Sequence, residues 1–232
     1  MKKIGVLLPA YNEEKNIKTV IDDIKKFVPD SKIVVVDDGS RDLTSKLAEE
    51  AGAIILRHEQ NKGKGEALKT GIKYFLQRPE VNFVLITDSD GQYSMKEAGK
   101  IINSLKKEKV DFVIGNRYWD KNWKKIPFRH RLGIKVWKSF FNFFFGSNFK
   151  DTNCGFIGLT KNAMEKIQDF GKGYTIENAM LADALRNNLK IGQVPVEVNY
   201  EHKSKILRGI RVEANVLFFI LKEGIKYRLG IK

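Results

Sequence analysis

Two carboxylates one residue apart follow a strongly apolar stretch of the chain. Asp88 and Asp90 come directly after residues 81–87, which read as a buried strand, and Gly91 and Gln92 follow them. Carboxylates placed in this way can approach one divalent cation, and Mg²⁺ or Mn²⁺ prefers oxygen ligands and keeps positions open for substrate phosphates. The segment therefore predicts a metal-bridged pyrophosphate, with a solvated turn and an Asp helix cap as the alternative.

The elements around this segment alternate regularly between strands and helices. This spacing predicts an α/β fold with a mostly parallel sheet flanked by helices. In such sheets ligands gather at the carboxyl ends of the strands, where the strand order reverses. Polar clusters after Pro9, Val36 and Thr87 are expected to meet there. The predicted strands are 4–9, 32–36, 53–56, 81–87, 110–115 and 191–200, and the predicted helices are 13–27, 43–51, 65–76, one through 101–105, and 212–229.

Composition restricts the class of protein. The chain has 232 residues, of which 42% are hydrophobic and 30% charged, as in an ordinary folded domain. The single cysteine, Cys154, excludes an internal disulfide framework and fits a reducing cytoplasm. We see no signal peptide and no apolar stretch near the roughly 18–20 residues that span a bilayer. A cytoplasmic location is therefore expected.

Positive charge is concentrated in the second half of the chain. Residues 1–100 carry 17 Lys and Arg against 16 Asp and Glu, whereas residues 101–232 carry 25 against 12. The second half is therefore expected to face something anionic. Nucleic acid, an acidic membrane surface and a phosphorylated substrate all satisfy this expectation.

Residues 116–150 combine basic and aromatic residues. Arg131, Lys135, Lys138, Ser139 and Asn142 fall on one face of a predicted helix, while leucine, valine, tryptophan and four phenylalanines occupy much of the rest. Such a helix either packs in the core or lies in a membrane interface. The predicted helix at 212–229 has the same two alternatives.

Five short segments carry a family resemblance: residues 9–13, 36–40 with Asp42 and Thr44, 61–65, 88–92, and 151–156. Taken together, they resemble the family 2 glycosyltransferases with the GT-A fold. The last of them resembles a segment of the polyprenol-phosphate branch, which includes the dolichol-phosphate mannose and glucose synthases. The resemblance extends to about Tyr200, and we assign residues 1–205 to a GT-A catalytic domain and 206–232 to a C-terminal amphipathic helix.

The resemblance implies roles for individual residues. Asp38 would accept a hydrogen bond from the nucleobase, although it can instead cap the helix at Leu43. Gln92 would complete the Mg²⁺ or Mn²⁺ site. The glycines of residues 61–65 permit close approach to phosphate, although they do not form a P-loop. The implied nucleotide-sugar site is Pro9, Tyr11, Glu13, Asp38, Lys64 and Asp88, and the implied metal site is Asp88, Asp90 and Gln92.

A second group of residues is predicted for the acceptor. Guanidinium groups bind phosphate through two hydrogen bonds, so Arg117, Arg129 and Arg131 are candidates for an acceptor phosphate. The resemblance adds Lys203 and Lys205 on a loop over the pyrophosphate. It also adds Glu177 to Asp88 and Asp90 as a catalytic candidate, with an ordinary position on a helix surface as the alternative.

These observations predict an inverting, metal-dependent transfer of a hexose from a donor of the GDP-mannose or UDP-glucose type to a polyprenyl or dolichyl phosphate. The acceptor oxygen is already anionic, so no general base is needed. Transfer to a soluble or glycan hydroxyl is the first alternative, and it would need Glu177 or Asp151 as a base. The second is a noncatalytic module that binds nucleic acid or an anionic membrane. Under the main hypothesis the enzyme lies at the membrane surface and nucleic acid is not a partner.

Overall fold

One mixed sheet organises the computed structural model, which describes residues 3–107, 109–118, 128–198 and 210–231. In space the described strands follow the order β3-β2-β1-β4-β6-β5-β7. Among the described strands only β6 runs antiparallel to its neighbours, so the predicted α/β fold with a mostly parallel sheet is confirmed. The strands are β1 (Lys3–Ala10), β2 (Lys32–Asp37), β3 (Ile54–Arg57), β4 (Val81–Ile86), β5 (Phe112–Asn116), β6 (Ile157–Thr160) and β7 (Ile191–Pro195).

Helices flank this sheet. The short 3₁₀ turns Met95–Glu97 and Gly173–Thr175 precede two of them. The described α-helices are α1 (Ile17–Phe27), α2 (Thr44–Glu50), α3 (Lys64–Leu76), α4 (Ala98–Lys107), α5 (Phe128–Phe145), α6 (Lys161–Lys166), α7 (Ile176–Arg186) and α8 (Ile210–Arg228).

The central strands are buried on both faces, which explains their nearly continuous apolar sequences. Residues 6–8 of β1 and 34–36 of β2 have no exposed surface. In α1 the buried residues recur at intervals of three and four: Ile17, Val20, Ile21 and Ile24. This is the spacing of one helix face, so α1 packs its apolar face on the sheet side and exposes the other.

Several predicted boundaries differ from the structure. The helix predicted from residue 13 begins at Ile17, because residues 13–16 form a turn in which the Asn16 N–H donates to the Glu13 carbonyl. The strand predicted for 191–200 ends at Pro195, and residues 199–200 lie outside the described part. Three elements were not predicted, namely β6, α6 and α7. The strand β6 has only four residues, and α7 is buried on nearly all sides, so neither shows a clear periodicity.

Helices α5 and α8 pack against each other. Phe141 and Phe145 of α5 are buried, and the Phe145 ring lies 5.0 Å from that of Tyr227. At Gly224 a Cβ atom would lie 2.4 Å from the Cβ of Phe144, so the two backbones approach as closely as glycine permits. One face of α5 therefore belongs to the core.

The opposite faces of the same two helices are apolar and exposed. Phe143 is 71% exposed and Phe218 69% exposed. Helix α5 thus has one core face, as the first alternative predicts, and one apolar outer face, whose position in a membrane interface stays a prediction. No helix in the described ranges is long and apolar enough to cross a membrane. The outer apolar residues of the pair are Leu132, Val136, Phe140, Phe143, Phe218, Ile225 and Leu229.

Candidate active site

A cavity of about 380 Å³ opens at the carboxyl ends of β1, β2 and β4. The chain runs outward from β1 to β3 and returns to β4 on the other side of β1, so the strand order reverses at this point. Ligands of open α/β sheets bind at such a reversal. The cavity is lined by Pro9, Ala10, Tyr11, Glu13, Asp38, Asn61, Lys64, Ala67, Asp88, Ser89 and Asp90, which include all six residues predicted for the nucleotide sugar.

The loops that follow β1 and β2 are joined by hydrogen bonds between side chain and backbone. The Asn12 N–H donates to Ser40 Oγ at 2.9 Å, and the Arg41 N–H donates to Asn12 Oδ1 at 2.9 Å. The Glu13 N–H donates to Thr44 Oγ1 at 2.8 Å. Because each loop satisfies backbone groups of the other, the two form one ordered wall of the cavity.

The start of α2 is satisfied by Asp42. Its Oδ1 accepts a hydrogen bond from the Thr44 N–H at 3.0 Å. The alternative role of Asp38 as the cap of this helix is therefore wrong, and Asp38 is left for the cavity. Asp37 was not singled out from the sequence, yet it is fully buried, accepts from the Ser40 N–H at 2.8 Å and lies 3.5 Å from Arg57 Nε.

Asp38 is 2% exposed and is held by three donors. His58 Nδ1 lies 2.6 Å from its Oδ1, and the backbone N–H groups of Lys62 and Gly63 donate to its Oδ1 and Oδ2 at 2.9 and 2.7 Å. The carboxylate thereby joins the end of β2 to the loop before α3.

A lysine links the carboxylates on the other side of the cavity. Lys64 Nζ lies 2.6 Å from Asp88 Oδ1 and 3.0 Å from Glu177 Oε1. Burial opposes the charge on Lys64, but the two carboxylates outweigh it and raise the pKa of the amine well above its ordinary value. Glu177 is only 9% exposed, so the alternative of an ordinary helix-surface residue is wrong.

Asp90 lies in an environment that disfavours its charge. Burial, and then the nearby charge of Asp88, raise the pKa of Asp90 to about 6. The Gln92 N–H donates to Asp90 Oδ1 at 3.0 Å and partly offsets this effect. Two crowded carboxylates that repel each other are a favourable environment for a cation.

The same carboxylates determine how a metal ion would be held. Within the described ranges, no three His, Cys, Asp or Glu side chains are arranged to hold a metal ion. Asp88 and Asp90 nevertheless offer carboxylate oxygens on the wall of the cavity. The residues therefore fit a hard cation that takes its remaining oxygen ligands from water and substrate phosphates.

The segment 151–156, which precedes β6, also contacts Asp88. A Cβ atom at Gly155 would lie 2.6 Å from Asp88 Oδ2, so only glycine fits. The Gly155 N–H donates to the Tyr93 hydroxyl at 2.9 Å, and the Tyr93 ring stacks on Phe156 at 5.4 Å. Sequence reasoning noted the segment 151–156 and missed Gly155 as a neighbour of Asp88, which is predicted to bind the metal ion. The presence of a glycine in that segment was the available signal.

Arg117, predicted for the acceptor phosphate, forms a buried ion pair. Its Nε and Nη2 donate to Asp151 Oδ2 and Oδ1 at 2.8 and 3.0 Å, and Asp151 is 1% exposed. Burial opposes the charge on Arg117, but Asp151 reverses the effect and raises the pKa of the guanidinium. The pair fixes the segment 151–156 next to β5.

The other predicted acceptor residues are placed less completely. Arg131 lies in α5 half-buried, and its Nε is a buried atom without a hydrogen-bond partner among the described residues. The side chain of Arg129 and residues Lys203 and Lys205 lie outside the described part of the chain. Arg131 therefore stays a candidate for the acceptor phosphate.

Comparison with known proteins identifies the family. The model described as glycosyl transferase family 2 matches residues 5–167. The chain belongs to glycosyltransferase family 2. It is thus a glycosyltransferase, and the alternative of a noncatalytic binding module is not supported.

Relatives in this family act on lipid phosphates, according to their names. The UDP-N-acetylglucosamine–dolichyl-phosphate N-acetylglucosaminyltransferase of Methanococcus voltae is 31% identical over 91% of this chain and 91% of the relative. The polyprenol monophosphomannose synthase of Mycolicibacterium smegmatis is 27% identical over 82% of this chain and 75% of the relative. These names agree with the predicted branch of the family.

A solved structure confirms the fold of this glycosyltransferase. Glucosyl-3-phosphoglycerate synthase from Mycobacterium tuberculosis, in complex with Mn²⁺, uridine diphosphate and phosphoglyceric acid, aligns with 100% of this chain and 80% of its own. The TM-score is 0.75 and the identity is 22%. The likeness shows the GT-A fold that the sequence predicted.

Proposed function

We propose that this enzyme transfers a hexose from a nucleoside diphosphate sugar to a polyprenyl phosphate at a membrane surface. The observation that carries the proposal is the grouping of Asp88, Asp90 and Lys64 on one cavity at the reversal of the sheet. Paired carboxylates beside a half-buried lysine suit a diphosphate that carries a metal ion. The donor would occupy this cavity, with its nucleoside against Pro9, Tyr11 and Asp38.

Different residues of the cavity would bind the metal ion and the phosphates of the donor. Asp88 and Asp90 would hold Mg²⁺ or Mn²⁺, with Gln92 as a further ligand. Such an ion stabilises the negative charge that develops on the departing nucleoside diphosphate. Lys64, whose charged form is stabilised by two carboxylates, would add a second positive charge beside the phosphates.

The state of Asp151 favours an acceptor that needs no base. Its Oδ1 accepts from Arg117 Nη2 and the Asn153 N–H, and its Oδ2 accepts from Arg117 Nε and the Arg117 N–H. A carboxylate has about four acceptor positions, so Asp151 has none left for a proton. Glu177, the other candidate base, is ion-paired with Lys64.

An acceptor phosphate is consistent with these constraints. Its oxygen is already negatively charged near neutral pH and can attack C1 of the sugar on the face opposite the leaving diphosphate. The protein then needs to position the two substrates and to screen their charges. Two observations support this assignment: the excess of Lys and Arg in residues 101–232, and Arg131 Nε, which has no partner in the part of the chain that the structure describes.

The exposed apolar faces of α5 and α8 support docking on a lipid surface. Phe143, Phe218 and Leu229 are each more than two-thirds exposed, and Lys135 and Lys222 lie among them on the same helices. Apolar side chains interspersed with lysines suit the boundary between acyl chains and anionic head groups. We therefore propose peripheral attachment to an anionic membrane through this pair of helices.

Transfer assays test the proposal. The purified enzyme would be incubated with a panel of UDP and GDP sugars, with Mn²⁺ or Mg²⁺, and with either a polyprenyl phosphate or the matching polyprenol. We expect product only with the phosphate, and loss of product when the metal is chelated. Transfer to polyprenol, or to a soluble glycan hydroxyl in place of the lipid phosphate, would contradict the assigned acceptor.

A further inference from the structure

The Asp38 carboxylate, which lines the cavity, already accepts hydrogen bonds from the protein at most of its acceptor positions. Asp38 Oδ1 receives the Lys62 N–H at 2.9 Å and His58 Nδ1 at 2.6 Å, and Oδ2 receives the Gly63 N–H at 2.7 Å. An ionised carboxylate only accepts hydrogen bonds and offers about four positions. Three of these positions are filled before any ligand arrives, and one position on Oδ2 has no donor among the residues that the structure describes.

His58 holds its place through a second contact. Since the Asp38 carboxylate can only accept, His58 Nδ1 must carry the proton of this bond. The other ring nitrogen, Nε2, lies 2.9 Å from Thr70 Oγ1 in α3, which fixes the ring. His58 is only 9% exposed, so its ring is largely shielded from solvent. The arrangement keeps one side of Asp38 permanently engaged.

From this geometry we propose that the enzyme selects uracil over guanine as the donor base, with His58 as the positioning residue for Asp38. The inference rests on the proposed function, since it assumes that a nucleoside diphosphate sugar occupies the cavity. It narrows the donor from nucleoside diphosphate sugars in general to UDP sugars.

Uracil and guanine differ in the number of hydrogen-bond donors that they can present to Asp38. Uracil presents one N–H, at N3, between two carbonyl oxygens, and a single free position on Asp38 Oδ2 accepts it. Guanine presents two adjacent donors, N1–H and the N2 amino group, which need both oxygens of a carboxylate. Asp38 Oδ1 is already filled by His58 and Lys62, so one guanine donor would be buried without a partner. A buried donor without a partner weakens binding, so guanine is disfavoured.

The walls of the cavity oppose a rearrangement that would free Asp38. The Lys62 and Gly63 N–H groups lie just before α3, and Asp38 itself follows β2 in the wall described above. Releasing either N–H group would leave a backbone donor unpaired. The selectivity is therefore built into the unliganded protein.

Equilibrium binding measures the selectivity without turnover. Isothermal titration calorimetry compares nucleotides that differ only in the base. The full chain would be titrated with UDP, GDP, CDP and a UDP methylated at N3, each in the presence of Mn²⁺. We expect UDP to bind at least about tenfold more tightly than GDP, which corresponds to about 1.4 kcal/mol. CDP and N3-methyl UDP lack the N3–H and should bind as weakly as GDP. Equal binding of UDP and GDP, or undiminished binding of N3-methyl UDP, would overturn the inference.

Two variants of His58 test its part. An asparagine amide can place a donor near the position of Nδ1, so His58→Asn should retain most of the preference for UDP. His58→Leu removes the donor and frees a second acceptor position on Asp38, so the UDP-to-GDP affinity ratio should fall several-fold. Equal ratios in the two variants would contradict the role of His58. If His58→Leu does not fold, the wild-type titrations still decide the selectivity.

The outcomes separate this inference from the proposed function. Tight, metal-dependent binding of GDP and UDP alike leaves the glycosyl transfer intact and removes only the selectivity. Failure of every nucleoside diphosphate to bind with Mn²⁺ would remove the proposed donor site and the selectivity with it.

Discussion

The loops around the donor cavity and the helix pair α5–α8 differ in how their polar and apolar groups are satisfied. In the cavity the loops share hydrogen bonds, such as Asn12 N–H to Ser40 Oγ, and Asp38 has three protein donors. On the helix pair Arg131 Nε has no partner among the described residues, and Phe143 and Phe218 face outward. The cavity loops are therefore preorganised, whereas under the proposed function the helix pair would be completed by the acceptor and the membrane.

The largest expected effect concerns the metal carboxylates. Asp90→Asn keeps the shape of the side chain and removes its charge, so the enzyme should lose about 10³-fold in turnover, because stabilisation of the leaving group by a metal ion contributes several kcal/mol. Steady-state assays with saturating Mn²⁺ measure this loss. Turnover near the wild-type level would show that Asp90 does not hold the metal.

The next effect concerns the contact between Gly155 and Asp88. In Gly155→Ala the new methyl group would lie 2.6 Å from Asp88 Oδ2 and would displace that carboxylate. We expect turnover to fall by about 10²-fold, since displacements near 1 Å cost that much. Gly99→Ala is the control, because a Cβ at Gly99 of α4 meets nothing within 4 Å. Equal activity of the two variants would remove Gly155 from the site.

A smaller effect is expected on the acceptor side. Arg131→Ala removes a guanidinium whose Nε has no partner among the described residues, so KM for the polyprenyl phosphate should rise about tenfold, as for the loss of one charged hydrogen-bond donor. KM for the nucleotide sugar should stay the same. Lys138→Ala removes a positive charge from the same helix as a control. A parallel rise of both KM values would show that the donor and acceptor sides are not separate.

Exposed and buried phenylalanines of α5 distinguish a membrane face from a core face. Phe143→Ser should reduce binding to anionic vesicles about tenfold, since a phenylalanine in lipid contributes about 1.5–3 kcal/mol, and leave thermal unfolding unchanged. Phe141→Ser at the fully buried position should instead destabilise the fold by about 3–5 kcal/mol. Vesicle sedimentation and thermal melts measure the two effects. Unchanged vesicle binding in Phe143→Ser would contradict docking through α5.

The smallest effect is on stability and depends on pH. The pKa of Asp90 is about 6 in the fold against an ordinary 3.8, so the folded state binds this proton more tightly than the unfolded chain does. Ionised Asp90 therefore destabilises the fold fully above about pH 6, and the cost disappears as the pH falls toward 4. In metal-free buffer Asp90→Asn should stabilise the protein by about 1–2 kcal/mol at pH 8 and by little at pH 4. Thermal melts at both pH values test this, and a destabilised variant at pH 8 would contradict it.

Regular periodicity made the donor side predictable. Residues 33–36 are apolar on both faces and are followed by Asp37 and Asp38, so the sequence indicated both the strand and the position of its polar end. The expectation that the polar segments after Pro9, Val36 and Thr87 meet at one edge of the sheet followed from the alternation of strands and helices. The six residues predicted around the nucleotide sugar consequently lie on one cavity.

Contacts between distant segments were not predictable from one sequence. Lys64 and Glu177 are 113 positions apart, and their ion pair depends on how α7 returns to the sheet. Arg117 was assigned to a phosphate because guanidinium suits that ligand, but Asp151 satisfies the same chemistry inside the protein. Local residue type therefore predicted what a side chain can bind, and the tertiary structure decided which partner it has.

Gly224 has a consequence for geometry at the bilayer. Because α8 contacts Phe144 of α5 at a residue without a side chain, the two helices lie very close together. If this helix pair rests on lipid, the spacing of the two helices affects the tilt of the whole enzyme and the height of the cavity above the head groups. One added methyl group at position 224 would increase that spacing. In that case Gly224 helps to set the distance that a lipid-linked phosphate has to span between the membrane and the cavity.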